Sequence, residues 1–297
     1  MLLALGCTVC WCGSAIFFEA AGRRVGSTAV NLLRFAVALP LLALISYLAY
    51  GQIIPTAPPK NLALIAVSGV VGFFLGDMML FRAFTLIGAR LAITMMATTP
   101  IITAAISWPV LGQTLGLVNV LGIAITLAGV VYAVTERATD ALQSQTRRER
   151  KLGLWLGLGG AVSQAVANVL VTTGMDLGNG TQVHAISATF FRGAAGAICF
   201  IVLIALSRQT RRVASAVKDK TAMKHIAIGA LFGPVIGVSL LLAAFQRTST
   251  AVVSTITATQ PIMMVAAVFI ARGEKPTQRG VVGAIVAALG VAVLLLG

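Results

Sequence analysis

The segment Ala97-Thr98-Thr99-Pro100-Ile101 recurs as Ala258-Thr259-Gln260-Pro261-Ile262, at an offset of 161 residues from Pro100 to Pro261. Only Thr99 changes, to Gln260. The offset holds without a gap on both sides. Gly72 and Gly76 map to Gly233 and Gly237, Ala83-Phe84 to Ala244-Phe245, Gly112 to Gly273, Gly122 to Gly283, and Gly129-Val130 to Gly290-Val291. Shared hydrophobicity alone does not keep glycines and a proline in one register over such a length. The chain is two copies of one unit, and whatever it folds into is built twice.

Hydrophobic residues make up 58% of the chain and charged residues 10%, with a mean hydropathy of +0.97. A soluble domain carries roughly 25% charged residues. A membrane span needs about 20 apolar residues, and ten stretches meet that need: 2–21, 27–50, 61–81, 89–111, 114–134, 152–175, 182–207, 224–246, 250–271 and 278–297. The expected fold is an all-α integral membrane protein. Residues 1–134 form a first five-helix repeat, 135–151 a basic linker, and 152–297 a second five-helix repeat. An odd number of spans per copy puts the two copies in opposite orientations across the bilayer, an inverted repeat. Stretch 2–21 lacks a basic leading region and a clear small-residue cleavage site, so it reads as a retained helix.

The formal net charge is +14, but its placement argues against nucleic acid. Of the 22 Lys and Arg, eighteen fall in the odd-numbered connections, while the even-numbered ones hold only Lys60 and Arg247. Such asymmetry is the positive-inside signature and puts both termini outside. No aromatic residues are interleaved with the basic loops, as an RNA-binding surface would require.

The remaining two arginines lie inside spans. Arg34 in Leu33-Arg34-Phe35 aligns with Arg192 in Phe191-Arg192-Gly193. A long arginine near a helix end snorkels to the interface. One kept in both copies either anchors helix packing or binds an anion, so Arg34 and Arg192 are structural candidates. Asp77 is the most deeply placed carboxylate, with Phe73, Phe81 and Phe84 on its helical face. A buried ionisable group costs about 2.5–3.5 kcal/mol on insertion scales and is a functional candidate by default. Pairing with Arg34 or Arg192 and a protonated structural acid are its alternatives. The second copy has Val238 at this position, so the halves differ chemically.

Pro100 and Pro261 each break a span, freeing a backbone carbonyl for nearby hydroxyls or water. Paired broken helices at matching positions mark a transporter's binding site; a packing kink without a ligand is the plainer reading. Thr98, Thr99, Thr259 and Gln260 offer hydrogen bonds at the breaks, and Gln164 with Asn168 share one helical face. Trp11 and Phe81 are candidate apolar walls. Gly122 with Gly129, and Gly283 with Gly290, suggest a close-packing seam for scaffold or dimer contacts. Cys7, Cys10, Cys12 and the isolated His184 and His225 make no ligand set, so neither metal nor cofactor is expected. Glu19, one turn before Arg23 and Arg24, reads as a surface ion pair.

These features together resemble the drug/metabolite transporter (DMT) superfamily, in particular its EamA-type ten-helix members. The carrying residues are Trp11 with Gly13-Ser14, Arg34-Phe35, Ala83-Phe84, Pro100 and Gly112-Gln113, then Gly122 and Gly129. The second copy repeats them as Ala244-Phe245, Pro261, Gly273-Glu274, Gly283 and Gly290. The resemblance implies a carrier that exports amino acids or similar metabolites through a central cavity. It implies that spans 3, 4, 8 and 9 build the cavity, with help from spans 1 and 6. The family commonly has Gly-Glu where this chain has Gly112-Gln113, and it is usually drawn with both termini inside, against the charge asymmetry.

The reading is a multi-pass secondary transporter of small metabolites in the cell (inner) membrane, working by alternating access. The substrate site comprises Trp11, Asp77, Phe81, Thr98, Thr99, Gln164, Asn168, Thr259 and Gln260, with Arg34, Pro100, Arg192 and Pro261 as structural or hinge residues. Asp77 would serve as proton carrier or substrate counter-charge; its phenylalanine neighbours suggest a cationic or aromatic ligand, or a lipid-facing stripe. The partners are a small-molecule substrate and the bilayer, with a proton or other coupling ion and a homodimer open. Other classes are a membrane-embedded enzyme on a lipid, or a channel or structural protein. No phosphate-binding Gly-x-x-x-x-Gly-Lys motif is present for direct ATP drive.

Overall fold

The computed structural model describes residues 1–113, 116–141, 146–178, 180–264 and 278–296. Gly273-Glu274, Arg272 and Lys275 lie outside the described residues, as do the side chains of Arg90 and Arg137. The chain is almost wholly helical. Six helices are long and apolar enough to cross a membrane, and three shorter apolar helices accompany them.

Helix α1 (Leu2–Val25) and α2 (Ser27–Tyr50) are separated by Gly26 alone. Its φ of 89° is open to glycine and strained for other residues. Gly51, left-handed at φ 70°, ends α2 and donates its N–H to the Tyr47 carbonyl, a glycine C-cap. The stretch 2–21 is thus the front of a longer helix whose Ala4, Cys7, Cys12, Phe18 and Ala21 are buried. The four cysteines are free thiols, Cys7 and Cys12 buried, in keeping with packing roles.

The third span is more complex than its apolar run suggests. Helix α3 (Pro59–Gly69) passes into a π-helical turn, Val70–Gly76, and continues as α4 (Asp77–Met96). The apolar span Pro59–Gly88 is unbroken for 30 residues and ends at Gly88, φ 80° and ψ 154°. The second copy repeats this plan. Helix α10 and its π turn Leu231–Gly237 follow at the same offset of 161 residues, and α11 (Val238–Phe245) completes the span. Here α10 is Lys220–Ala230. Pro234 lies within the second π turn. π turns are rare and concentrate at functional sites, and two at matching positions give both halves the same irregular wall.

Helices α5 (Thr99–Leu111) and α12 (Thr250–Thr257) flank the repeated proline segments. The chain turns at Ala97-Thr98 and Ala258-Thr259 before each proline. The Thr98 hydroxyl donates to the Met95 carbonyl at 2.8 Å and Thr259 to Ile256 at 2.7 Å. Each threonine thereby occupies a carbonyl that the break frees.

Helix α6 (Leu117–Ala141) and the last helix, α13 (Gln278–Leu296), pack on each other along the expected glycine seam. A Cβ on Gly129 would fall on the Ala287 nitrogen and the Gly283 carbonyl oxygen, and one on Gly290 on the Thr126 backbone. The seam is internal to the chain and serves as scaffold.

Helix α7 (Arg147–Met175) opens with a capping box between Thr146 and Glu149. A short hairpin, β1 (Asp176–Gly178) with β2 (Thr181–Gln182), joins it to α8 (Ala185–Leu206). The polar connection 208–223 holds a strongly amphipathic helix, α9 (Thr210–Lys218). Asp219 caps α10 by accepting from the Ala222 N–H and pairs with Arg24 at 3.0 Å. Arg23 pairs with Glu19 at 2.8 Å, as expected of an exposed i, i+4 pair. Arg23, Arg24, Arg82 and Arg212 line one surface recess, so three odd-numbered connections share one end of the molecule.

Candidate functional site

A cavity of about 100 Å³ lies between the two copies. The first copy contributes Trp11, Ser14, Phe18, Arg34, Phe73, Asp77, Phe81, Phe84 and Met96; the second contributes Gln164, Arg192, Gly233, Pro234, Val238 and Gln260. A smaller cavity of about 30 Å³ adjoins it, sharing Trp11, Ile93, Met96, Gln164 and Gln260, and adds Thr99, Asn168, Ser254 and Pro261.

Arg34 sits on the buried face of α2 and Asp77 at the start of α4, immediately after the π turn. Their side chains form an ion pair at 2.5 Å, with exposures of only 5% and 14%. Arg34 therefore does not snorkel: a carboxylate within reach holds it inside, where the charge pair costs less than either charge alone. Its guanidinium also lies 4.5 Å from the Phe35 ring centroid and 4.8 Å from that of Phe81, within cation–π range. The phenylalanines near Asp77 thus surround Arg34. With Asp77 already serving an arginine, the suggestion of a cationic ligand loses its basis.

Arg192 on α8 is completely buried in the cavity wall, and none of its three guanidinium nitrogens has a hydrogen-bond partner. The guanidinium lies 4.7 Å from the Phe73 ring centroid. Glycines bring it there. A Cβ on Gly69 would fall on the Arg192 carbonyl oxygen, and one on Gly72 would stand 2.9 Å from the Ala167 Cβ and 3.1 Å from an Arg192 guanidinium nitrogen.

On α7, Gln164 donates to the Asn168 side-chain oxygen at 2.9 Å, and Asn168 donates to Ser254 at 3.5 Å. This polar chain runs from the main cavity to the second half's broken helix. The Cys12 thiol donates to the Gln260 backbone carbonyl at 3.5 Å. The Thr99 hydroxyl is buried in the small cavity without a partner.

Trp11, Asp77, Phe81, Gln164 and Gln260 therefore meet at the main cavity, and Thr99 and Asn168 at its annex. Thr98 and Thr259 line neither and bond to their own helix carbonyls. Arg34 and Arg192, expected as structural residues, both stand in the wall. Phe18, Phe73 and Met96 complete the lining; among apolar runs they carry no distinguishing signal.

The EamA-like transporter family matches residues 1–135 and again 151–296. The chain belongs to that family. One solved crystal structure, titled only as that of a protein, is similar at a TM-score of 0.73 and 19% identity, over 99% of this chain and 96% of that one. At that identity it speaks for the fold alone. No curated protein matches this EamA-like chain.

Proposed function

We propose that this chain is a secondary transporter that exports small metabolites, such as amino acids or related compounds, through the cavity between its halves. In this reading the chain crosses the cell (inner) membrane ten times, as two inverted five-helix repeats. The observation that carries it is a polar, ion-paired cavity whose wall alternates between residues of the two copies. A small site at a repeat interface, flanked by paired broken helices, is what alternating access requires.

The basic recess near Arg23, Arg24, Arg82 and Arg212 would face the cytoplasm under the positive-inside rule. Trp11 and Phe81 would form apolar walls, and Gln164, Asn168, Thr99 and Gln260 would offer hydrogen bonds. Asp77 would exchange its partner or proton during the cycle, coupling solute movement to an ion gradient. The turns before Pro100 and Pro261 would act as hinges, with Thr98 and Thr259 holding the freed carbonyls.

The test is counterflow in liposomes with labelled amino acids, nucleobases and organic cations, with and without a pH gradient. The reading expects saturable exchange of one class, lost in Asp77→Asn. Linear, non-saturable flux, or flux unaffected by Asp77→Asn, would contradict it.

A further inference from the structure

We infer that the cavity takes a small amphiphilic monocarboxylate, and that Arg192 is the residue that receives its carboxylate. This rests on the transport reading and specifies the substrate class of the same site.

The charged residues lining the cavity, among those described, are Arg34, Asp77 and Arg192. Arg34 and Asp77 neutralise each other. Arg192 remains, with its Nε and both terminal nitrogens buried and unpartnered. Buried charges in proteins are paired and hydrogen-bonded, so this guanidinium lacks an anion. A monoanion brings the site to neutrality; a dianion would overshoot it.

The repeat shows what is missing. Arg34 and Arg192 are equivalent in the two copies. The residue that serves Arg34 is Asp77, whose counterpart at the offset of 161 residues is Val238. Val238 lines the same cavity. The second half thus keeps the arginine and has lost the acid. A planar guanidinium fork matches a carboxylate in a bidentate geometry, so a solute carboxylate can occupy the role that Val238 cannot.

The rest of the wall defines the solute's body. Trp11, Phe18, Phe81, Phe84 and Ile93 surround the space. An apolar or aromatic body with one carboxylate fits that lining. The carboxylate reaches Arg192 past the Phe73 ring, against which the guanidinium packs.

The experiment compares three solutes with one body: 3-phenylpropionate, its amide, and the corresponding amine. Each is assayed for thermal stabilisation of the purified full chain and for counterflow in liposomes, in wild type, Arg192→Gln, Arg192→Lys and Val238→Asp. The expected result is stabilisation by the acid alone, at least tenfold weaker in Arg192→Gln and partly retained in Arg192→Lys. Val238→Asp should raise the melting temperature of the solute-free protein and abolish the acid's effect, because the introduced carboxylate fills the site from within.

Equal stabilisation by amide or amine, or an acid effect unchanged in Arg192→Gln, would overturn the inference. Saturable flux of the amine without flux of the acid would overturn it while leaving transport standing. Arg192-dependent binding of the acid with no flux of any solute would uphold the inference and sink the transport reading. Should Arg192→Gln fail to fold, Val238→Asp decides alone: undiminished binding of the acid in that variant overturns the inference.

Discussion

Arg34 on α2 and Asp77 on α4 meet as an ion pair at 2.5 Å inside the molecule, directly after a π turn that both copies share. Removing one partner of a buried pair leaves the other charge uncompensated, which costs about 3–5 kcal/mol. Arg34→Ala and Asp77→Ala should each lose stability on that scale, measured by denaturant unfolding in micelles. Replacing both, as Arg34→Met with Asp77→Leu, should recover most of it without restoring transport. Asp77→Asn, whose amide oxygen still accepts from Arg34, should fold and fail to transport.

The seam between α6 and α13 predicts a purely structural effect. A methyl group at Gly290 would collide with the Thr126 backbone. Overpacking of this kind costs about 1–3 kcal/mol. Gly290→Ala should lower the melting temperature measurably, while any protein that folds keeps the affinity of its cavity for solute.

The prolines predict a kinetic effect. In α5 Pro100 stands at the first turn, where its missing N–H is tolerated. Pro100→Ala restores a donor that allows the helix to close across the turn at Ala97-Thr98. Pro100→Ala and Pro261→Ala should slow exchange several-fold while solute affinity stays within a factor of about two. A selective loss of affinity would assign the prolines to the binding surface instead.

Asp219 predicts a pH effect outside the membrane. The Ala222 backbone N–H, then the Arg24 side chain, hold its carboxyl below the ordinary carboxylate range. A depressed folded-state pKa contributes stability above the unfolded value, near pH 4, and that contribution is lost as pH falls through the folded value. The melting-temperature gap between wild type and Asp219→Asn should be constant from neutral pH down to about pH 5 and close below about pH 4. A gap that persists at pH 3 would contradict the assignment.

Much of this site was legible in the residues because the repeat did the work. Pro100 with Pro261, Arg34 with Arg192, and Asp77 against Val238 all emerge from one offset, and the structure brings Arg34, Asp77, Arg192 and Val238 to one cavity. The π turns were not legible: their hydrogen-bond shift leaves an apolar run such as Val70–Gly76 unchanged in composition. Nor was the extent of the third span, because only the backbone at Gly88 shows where the helix breaks. Helix α9 hid in a polar connection whose charges read as loop, although its apolar and basic residues segregate onto opposite faces. The pairing of Arg34 with Asp77 was one of several open choices, since helix periodicity sets faces and not neighbours.

The most direct test of alternating access at this cavity is the reactivity of a single cysteine in its wall. Leu80 lines the cavity, so Leu80→Cys in a background free of the four native cysteines reports access from each side of a sealed liposome. The account predicts modification by a membrane-impermeant thiol reagent from either side, slowed from both by bound solute, in a protein that still exchanges solute saturably. Modification from one side only, unchanged by any solute that the protein carries, would contradict it.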